Sequence, residues 1–446
     1  MQMTIEMPSG ARFILARLHE KGYEAYLVGG CVRDACLGKA PSDFDITTSA
    51  LPEETKAIFS DVETVDTGLR HGTLTVVLQD GMYEVTTYRV DNGYTDGRHP
   101  DSVSFTRSLR EDAARRDFTV NAMAYSDEGG LVDFFGGKAD LEKGIIRTVG
   151  DAEQRFSEDA LRILRALRFS ATLEFAIEEA TAAATVSLRH LLCKISAERI
   201  REELLKLICG KDAVRVLSEF REVIAVALAE LVPTFDFDQK TPHHIYDLYS
   251  HILAVVDGVP ATPRLRMAAL LHDIGKPRTF FTDENGVGHF YGHETVSADM
   301  AREILTRLRF STADTEYIVT LVQYHGVPVP ETPKMARRLL SKIGEDLYFA
   351  LMQLKRADNL ALAPIHAARI ADIENAERLA REIMDSRSCF TLSSLAIGGR
   401  DLIALGMKPG KEIGRILNAA LDAVMDEKLP NEREALLSFA EKMMNE

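Results

Sequence analysis

The sequence predicts an α/β amino-terminal head followed by all-helical modules, and three observations carry that expectation. Short apolar runs alternate with turn residues and amphipathic stretches through residues 1–150. From Ser157 onward the apolar positions recur at helical spacing. At 446 residues the chain is too long for one hydrophobic core, so several domains are expected.

In the head, residues 11–21 carry helical spacing, and Ala25–Val28 reads as a strand running into a Gly-Gly turn. Ser42–Thr47 reads as a second strand. Leu74–Leu78 and Tyr83–Arg89 fit a hairpin around Gln79-Asp80-Gly81, an Asp-Gly turn. Asp91–Ser102, with two Gly, a Pro and the charged Asp96, Arg98 and Asp101, reads as a mobile loop. Ser157-Glu158-Asp159 predicts a helix start, with Leu161, Leu164 and Leu167–Phe169 as its apolar stripe. Ile200–Ile208 predicts another amphipathic helix. Pro233–Pro242 is polar and proline-bounded, as a linker would be. A histidine-rich helical block follows to about residue 375, then a helical tail. The expected segments are therefore 1–150, 151–235, 236–375 and 376–446.

Composition narrows the function classes. Hydrophobic content of 46% with 27% charged residues is that of an ordinary soluble protein. No apolar run approaches the ~20 residues of a membrane helix, so no membrane partner is expected. Nothing resembles a secretory leader, and the five cysteines (31, 36, 193, 209 and 389) form no C-x-x-C pair. Reduced thiols in a cytoplasm fit best. A net charge of −15 argues against a protein that coats nucleic acid nonspecifically, since such binding runs on counterion release by Lys and Arg. Local basic groups still leave RNA open as a substrate: Arg162, Arg165, Arg168, Arg189, Lys194, Arg199, Arg201 and Lys206, and a second set of Lys334, Arg337, Arg338 and Lys342. Solvated helix faces are the alternative explanation for both sets.

The chemistry-bearing residues begin at Gly29-Gly30-Cys31-Val32-Arg33-Asp34, followed by Asp43-Phe44-Asp45-Ile46. A Gly pair lets backbone N–H groups approach a polyanion, and Arg33 can hold a phosphate through two parallel bonds. Strand period places Asp43 and Asp45 on one face. Two carboxylates beside a phosphate-binding turn suit a two-magnesium phosphoryl-transfer site. Glu84, on a strand expected beside that pair, is either a third acid of the site or a half-exposed strand residue. Arg115-Arg116-Asp117 offers cations for phosphate and a carboxylate for ribose. Asp159 and Arg162, three apart on the expected helix, lie side by side. An ordinary ion pair would have the same spacing.

The blocks G-G-x-V-R-D, D-x-D, E-V-T-T-x-R, R-R-D-F-T-x-N-A and E-D-x-x-R-x-x-R-A-x-R occur in this order. Together they resemble the class II CCA-adding tRNA nucleotidyltransferase and poly(A) polymerase family over roughly residues 24–235. Residues 395–414, ending in Pro409-Gly410-Lys411-Glu412-Ile413-Gly414, resemble the tail of longer bacterial members. The resemblance implies a polymerase-beta-like mixed-sheet head, an all-α neck and body, and a helical tRNA-binding tail. It implies that Asp43 and Asp45 hold Mg2+, with Gly29, Gly30 and Arg33 at the triphosphate. Arg116 would meet the nucleotide's phosphate or sugar and Asp117 the ribose. Asp159 and Arg162 would read the base, supported by Arg165 and Arg168. The expected partners are tRNA, CTP and ATP. An enzyme adding only the final A, or a poly(A) polymerase, shares every block. Asp133-Phe134-Phe135-Gly136-Gly137 resembles the family's hinge between head and neck.

In the histidine-rich block, His272-Asp273 precedes Ile274-Gly275-Lys276-Pro277. This is similar to an HD-domain phosphohydrolase. The resemblance implies a divalent transition metal on His251, His272, Asp273 and Asp358, with His293 and His325 as the further ligands of two-metal versions. A metal phosphohydrolase whose head senses nucleotide is the alternative from another enzyme class. A purely structural HD fold is the bland one.

Overall fold

The computed structural model describes residues 4–41, 43–68, 72–93, 102–363, 368–386 and 390–445. Ser42, Cys389 and residues 94–101 of the expected loop, with Asp96, Arg98 and Asp101, lie outside these. The chain forms two compact units, 1–229 and 230–446.

In the first unit a central sheet is built from β1 (Ala25–Val28), β2 (Asp45–Thr48), β3 (Glu63–Gly68), β4 (Thr73–Leu78) and β5 (Gly81–Thr87). A short ribbon of β6 (Arg89–Asn92) and β7 (Ser102–Phe105) follows, and β8 (Ala124–Ser126) and β9 (Gly130–Val132) complete the sheet. Its strand order is β3-β4-β5-β2-β1-β8-β9, mixed because β2 and β5 run parallel while the other neighbours are antiparallel. The β4–β5 hairpin turns at the expected Gln79-Asp80, with Leu78 opposite Gly81. Parallel pairing of Ile46 with Val85 sets the Glu84 strand beside the Asp45 strand, as expected.

Three local expectations need correction. The second strand begins at Asp45, so Asp43 precedes the ladder and does not share a strand face with Asp45. Pro41 donates no hydrogen bond and aspartates fit pleated strands poorly, so pairing starts late. The expected mobile loop has ordered ends: Arg89 pairs with Phe105 and Asn92 with Ser102. Ser157 is not a helix cap. It lies inside a helix over Ala152–Glu158 that Asp151 caps by accepting from the Gln154 N–H, and the helix carrying the Leu161 stripe begins only at Leu161.

The helices of this unit are α1 (Ser9–Glu20), α2 (Gly30–Cys36), α3 (Pro52–Ile58), α4 (Leu109–Ala114) and α5 (Gly137–Lys143) beside the sheet. Then come α6 (Ala152–Glu158), α7 (Leu161–Leu173), α8 (Glu179–Ser187), α9 (Ala197–Ile208), α10 (Ala213–Glu219) and α11 (Arg221–Ala227). A two-residue parallel pair, β10 (Ile145–Ile146) with β11 (Ala176–Ile177), links α5 to this bundle. The buried stripe of α7 (Ile163, Leu164, Ala166, Leu167) packs on α9 through Leu204, Leu207 and Ile208. The segment resembling a hinge is a capped turn, in which Asp133 accepts from the N–H groups of Phe135, Gly137 and Lys138.

The second unit is helical: α12 (Leu248–Gly258), α13 (Pro263–Leu271), α14 (Lys276–Thr279), α15 (His293–Arg307), α16 (Thr312–Tyr324), α17 (Pro333–Ile343), α18 (Glu345–Leu360) and α19 (Arg369–Asp385). A small ribbon, β12 (Phe281–Thr282) with β13 (Gly288–His289), interrupts it. The tail helices α20 (Gly399–Ala404), α21 (Lys411–Met425) and α22 (Arg433–Asn445) enclose a core of their own, including Leu402, Ile416, Leu421 and Leu436.

Two further expectations change here. Pro233–Pro242 is packed down and is no free linker. Phe235 lies edge-on to Tyr249 at 4.7 Å, Phe237 meets Phe280 at 5.2 Å, and Gln239 is buried. The basic set on α17 faces the tail: Lys334 and Arg338 hold Asp426 at 2.9 and 2.7 Å, and Arg337 holds Glu427.

Close packing of α5 gives a direct test. A Cβ on Gly137 would lie 2.2 Å from the Thr119 carbonyl oxygen, which belongs to backbone and cannot swing away. Gly137→Ala is expected to cost ~1–3 kcal/mol, read as a lowered urea midpoint at unchanged m-value.

Candidate functional site

A cavity of about 470 Å³ in the first unit gathers most of the head and neck residues singled out in the sequence. Its walls include Gly29, Gly30, Arg33, Asp45, Arg116, Asp117, Asp159, Arg162, Arg165 and Arg168. Gly29 joins β1 to α2 at φ 77°, in the left-handed region where a side chain is strained. A Cβ there would stand 3.5 Å from an Arg116 guanidinium nitrogen and 3.9 Å from Asp45 Oδ2. The glycine keeps open the space between a cation and a carboxylate.

Asp45 is exposed at the start of β2, yet its carboxyl is held above the usual range. Partial burial contributes most, followed by the charge of Glu84, and Arg116 opposes both more strongly than Asp43 adds to them. Glu84 and Asp43 thus both bear on the Asp45 carboxylate, and a divalent cation held there would relieve that repulsion. Their oxygens do not close into a compact ligand set, for among the described residues such sets occur only in the second unit.

Below the cavity, carboxylates hold the guanidinium groups in place. Buried Asp112 accepts from Arg115 at 2.8 Å and Arg116 at 3.3 Å, and also from the Arg89 backbone N–H. Arg33 donates to Asn121 Oδ1 at 2.8 Å, Asn121 donates to Asp117 Oδ1 at 3.2 Å, and Arg165 Nε donates to Asp117 Oδ2 at 2.8 Å. Burial alone would push the Asp117 carboxyl up, but Arg165, Arg162 and Asn121 outweigh it and leave it at about 2. Arg168 pairs with Glu203 at 2.9 Å and stacks 3.9 Å over the Phe169 ring, which Arg33 and Arg165 also approach.

Asp159 and Arg162 are not neighbours on one helix face. Asp159 stands at the break between α6 and α7 (φ −139°, ψ 103°), where its Oδ1 accepts from the Leu161 N–H, the first of α7. Arg199 of α9 grips its carboxylate at 2.8 Å. Arg162 instead donates to Glu158 at 2.8 Å and to the Arg115 carbonyl at 2.9 Å. Both groups still border the same cavity.

The second unit holds a separate cavity of about 720 Å³ with the histidine–aspartate cluster in its wall. Asp273 is central. His251 and His272 Nε2 lie 3.4 and 3.2 Å from its Oδ2, and His293 and His325 Nε2 lie 3.3 and 3.4 Å from its Oδ1. Asp358 Oδ1 is 3.2 Å from His251. His272, His293 and His325 each donate Nδ1–H to the carbonyl three residues earlier, Ala269, Phe290 and Val322. A carbonyl only accepts, so each Nε2 of the neutral rings presents a lone pair inward. His293 and His325 bring two such nitrogens within 3.2 Å. His251 Nε2, His272 Nε2 and Asp273 Oδ1 are buried with no hydrogen-bond partner, and His251-His272-Asp273 and Asp273-His293-His325 each bring three ligand atoms within 4.8 Å of one another. This donor set fits a divalent metal.

Three family models match the chain: the poly A polymerase head domain over residues 25–147, the probable RNA- and SrmB-binding site of polymerase A over 174–227, and a tRNA nucleotidyltransferase domain 2 over 290–440. The CCA-adding enzyme of Lactobacillus delbrueckii subsp. bulgaricus is 35% identical over 433 residues, covering 96% of both chains. That of Leuconostoc mesenteroides is 37% identical over 437 residues, covering 98% of this chain and 96% of its own. This chain belongs to the CCA-adding enzyme family. The Bacillus stearothermophilus CCA-adding enzyme, solved in complex with CTP, superposes with a TM-score of 0.73 at 31% identity and 98% coverage of both chains. The Thermotoga maritima CCA-adding enzyme complexed with tRNA shares the fold, with a TM-score of 0.58 at 20% identity over 98% of this chain and 97% of that one.

This family member also carries site residues that the sequence motifs left out. Asn121 was visible only as the N of R-R-D-F-T-x-N-A, yet it links Arg33 to Asp117. Arg199 stood in a basic set with no hint of its partner. In the second unit, Lys276 holds Asp273 Oδ2 at 2.6 Å and reaches Gln239. His244 faces His251 at 5.1 Å, and burial with the nearby Lys276 charge pushes it down to about 3. The His243-His244 doublet was the available signal.

The Asp117–Arg165 pair yields a pH-dependent test. Arg165→Met should destabilise the CCA-adding fold by ~2–3 kcal/mol at neutral pH, short of the ~3–5 kcal/mol of a fully buried pair, because Asp117 keeps its bonds from Asn121 and the Phe118 N–H. The native carboxyl titrates at about 2, below its unfolded value of ~3.9, so the pair stabilises above pH ~4 and loses its effect as pH falls toward 2. Urea titrations of wild type and variant should therefore converge across that window.

Proposed function

We propose that this protein builds or repairs the 3′-terminal CCA of tRNA from CTP and ATP, releasing pyrophosphate. The observation that carries the proposal is one cavity lined by the Gly29 turn, Asp45, Arg116 and the Asp159–Arg162 elements. Asp43 and Asp45 would hold Mg2+, which supplies charge neutralisation at the α-phosphate and a lowered pKa for the attacking hydroxyl. Gly29, Gly30 and Arg33 would receive the triphosphate, Arg116 the phosphate or sugar, and Asp117 the ribose. Glu84, on the strand beside Asp45, would be the third acid. In the reaction the RNA 3′-oxygen bonds to the α-phosphorus, the bond to the bridging oxygen breaks, and pyrophosphate leaves in line.

Base choice follows from hydrogen-bond polarity. Cytosine and adenine each present an exocyclic amine beside a ring-nitrogen acceptor. Asp159 would accept from the amine and Arg162 would donate to the ring nitrogen, with Arg165 and Arg168 bracing the pocket. Uracil and guanine set a carbonyl against the carboxylate, and each unmade buried bond costs ~1–3 kcal/mol. The bonds Asp159 makes to Arg199, and Arg162 to Glu158, would yield to the incoming base.

The second unit we read as an HD module that holds a divalent transition metal and hydrolyses phosphomonoesters or 2′,3′-cyclic phosphates. The inward lone pairs and partnerless buried atoms described above support it. His251, His272, Asp273 and Asp358 would hold one ion, with His293 and His325 available for a second. The bound metal would supply a more acidic water. The four-part division at about residues 150, 235 and 375 assigns these tasks to head, neck and body, HD module and tail. Among the described residues no helix is long and apolar enough to cross a membrane, and we place the protein in the cytoplasm.

Incorporation assays separate the two modules and the family's alternatives. On tRNA lacking the terminal trinucleotide, wild type should add C, C and A. Addition of A alone, to transcripts that already end in CC, would mark an A-adding enzyme. Asp43→Ala or Asp45→Ala should lower incorporation at least ~10³-fold. Asp273→Asn should lose bound transition metal by elemental analysis while leaving incorporation within about twofold. In a separate assay, Asp159→Ala should narrow discrimination against UTP and GTP by at least ~10-fold, and unchanged discrimination would remove the base-reading assignment.

A further inference from the structure

The β12–β13 ribbon carries a ring stack that neither reaction above uses. Along residues 288–291 the side chains alternate. Phe290 turns into a cluster with Phe237 and Phe280, while His289 and Tyr291 stack on each other at 5.5 Å with planes 20° apart. Phe281, directly opposite His289 across the ribbon, stacks on it at 5.3 Å and 30°. Asp283 fixes the imidazole plane: it accepts from His289 Nε2 at 3.1 Å and from the Asn285 and Val287 N–H groups. Tyr291 is 75% exposed and Phe281 47%, so the preset stack meets solvent. His289 and Tyr291 also line the cavity that holds the histidine–aspartate cluster.

We propose that this ribbon is a nucleobase-stacking subsite, which holds the base of a terminal RNA nucleotide while its phosphate lies at the histidine–aspartate centre. The proposal rests on the phosphohydrolase function proposed above. Every base offers a π-face, so a stacking platform accepts an RNA end whatever its base. The wall charges limit the ligand to such an end. Lys276 and Arg369 favour phosphate, but Glu294, Glu331 and Asp372 line the same cavity and would repel a run of backbone phosphates. One nucleotide held by its base and a single metal-bound phosphate suits this field.

The test uses the full chain loaded with Mn2+ and a 5′-fluorescent RNA trinucleotide ending in a 3′-phosphorothioate, with and without its terminal base. By anisotropy, wild type should bind the base-bearing oligomer about 5- to 150-fold more tightly than the abasic one. Tyr291→Ala should erase that preference at unchanged metal content, and Tyr291→Phe should keep it within about twofold. Equal binding of both oligomers by wild type, or an intact preference in Tyr291→Ala, overturns the subsite. Phosphate release from the 3′-phosphate oligomer is followed alongside. If no protein releases phosphate while the base preference persists, the hydrolase function falls and the subsite stands. Release without the preference removes the subsite alone.

Discussion

Pairing of guanidinium groups with carboxylates that are themselves held by backbone or buried neighbours is the constraint on which the head cavity depends. An arginine is always charged and its long stem has many rotamers, so a pocket crowded with them would be both self-repelling and loose. Here Arg115 and Arg116 share Asp112, Arg165 takes Asp117, Arg168 takes Glu203 and Arg199 takes Asp159. Each acid removes one unit of repulsion and fixes one direction. The result is a set of donors aimed into the cavity before any anion arrives, which lowers the ordering cost of binding a triphosphate.

The histidine centre solves a related problem with neutral groups. Imidazole can turn either nitrogen toward a ligand, and an unpaired ring would sample both. Backbone carbonyls three residues upstream remove the choice for His272, His293 and His325. The same i−3 relation recurs because His272 and His325 cap the C-terminal ends of α13 and α16, where backbone acceptors have no helical donor of their own. For these two, orientation comes from an ordinary property of helix ends, while His293 at the start of α15 turns to the Phe290 carbonyl of the preceding turn.

Much of this was legible in the sequence wherever a local rule governed. The Gly-Gly turn, the Asp-Gly hairpin, the strand bearing Glu84 and the amphipathic α9 all follow from periodicity and turn chemistry that act over a few residues. The six histidine and aspartate positions of the second unit likewise sit together as expected. What escaped were relations between distant segments. The Asp159–Arg162 spacing fitted one helix, but the chain is extended at Asp159 between α6 and α7, and Arg199, 40 residues further along, holds its carboxylate. The Pro233–Pro242 stretch looked like a linker because its polar residues hid Phe235 and Phe237, whose rings pack. Lys334 and Arg338 looked free because Asp426 lies 92 and 88 residues away along the chain.

The hydrogen-bonded chain Arg33–Asn121–Asp117–Arg165 connects the helix after the glycine turn of the head to the first long helix of the neck directly through four side chains. The arginines donate at the two ends, Asn121 accepts and donates, and Asp117 accepts from both sides, so a replacement at one position changes what its neighbours are worth. Such a chain is an epistatic unit. Substitutions among these four are therefore expected to be non-additive, each leaving a partner's donor or acceptor unmatched.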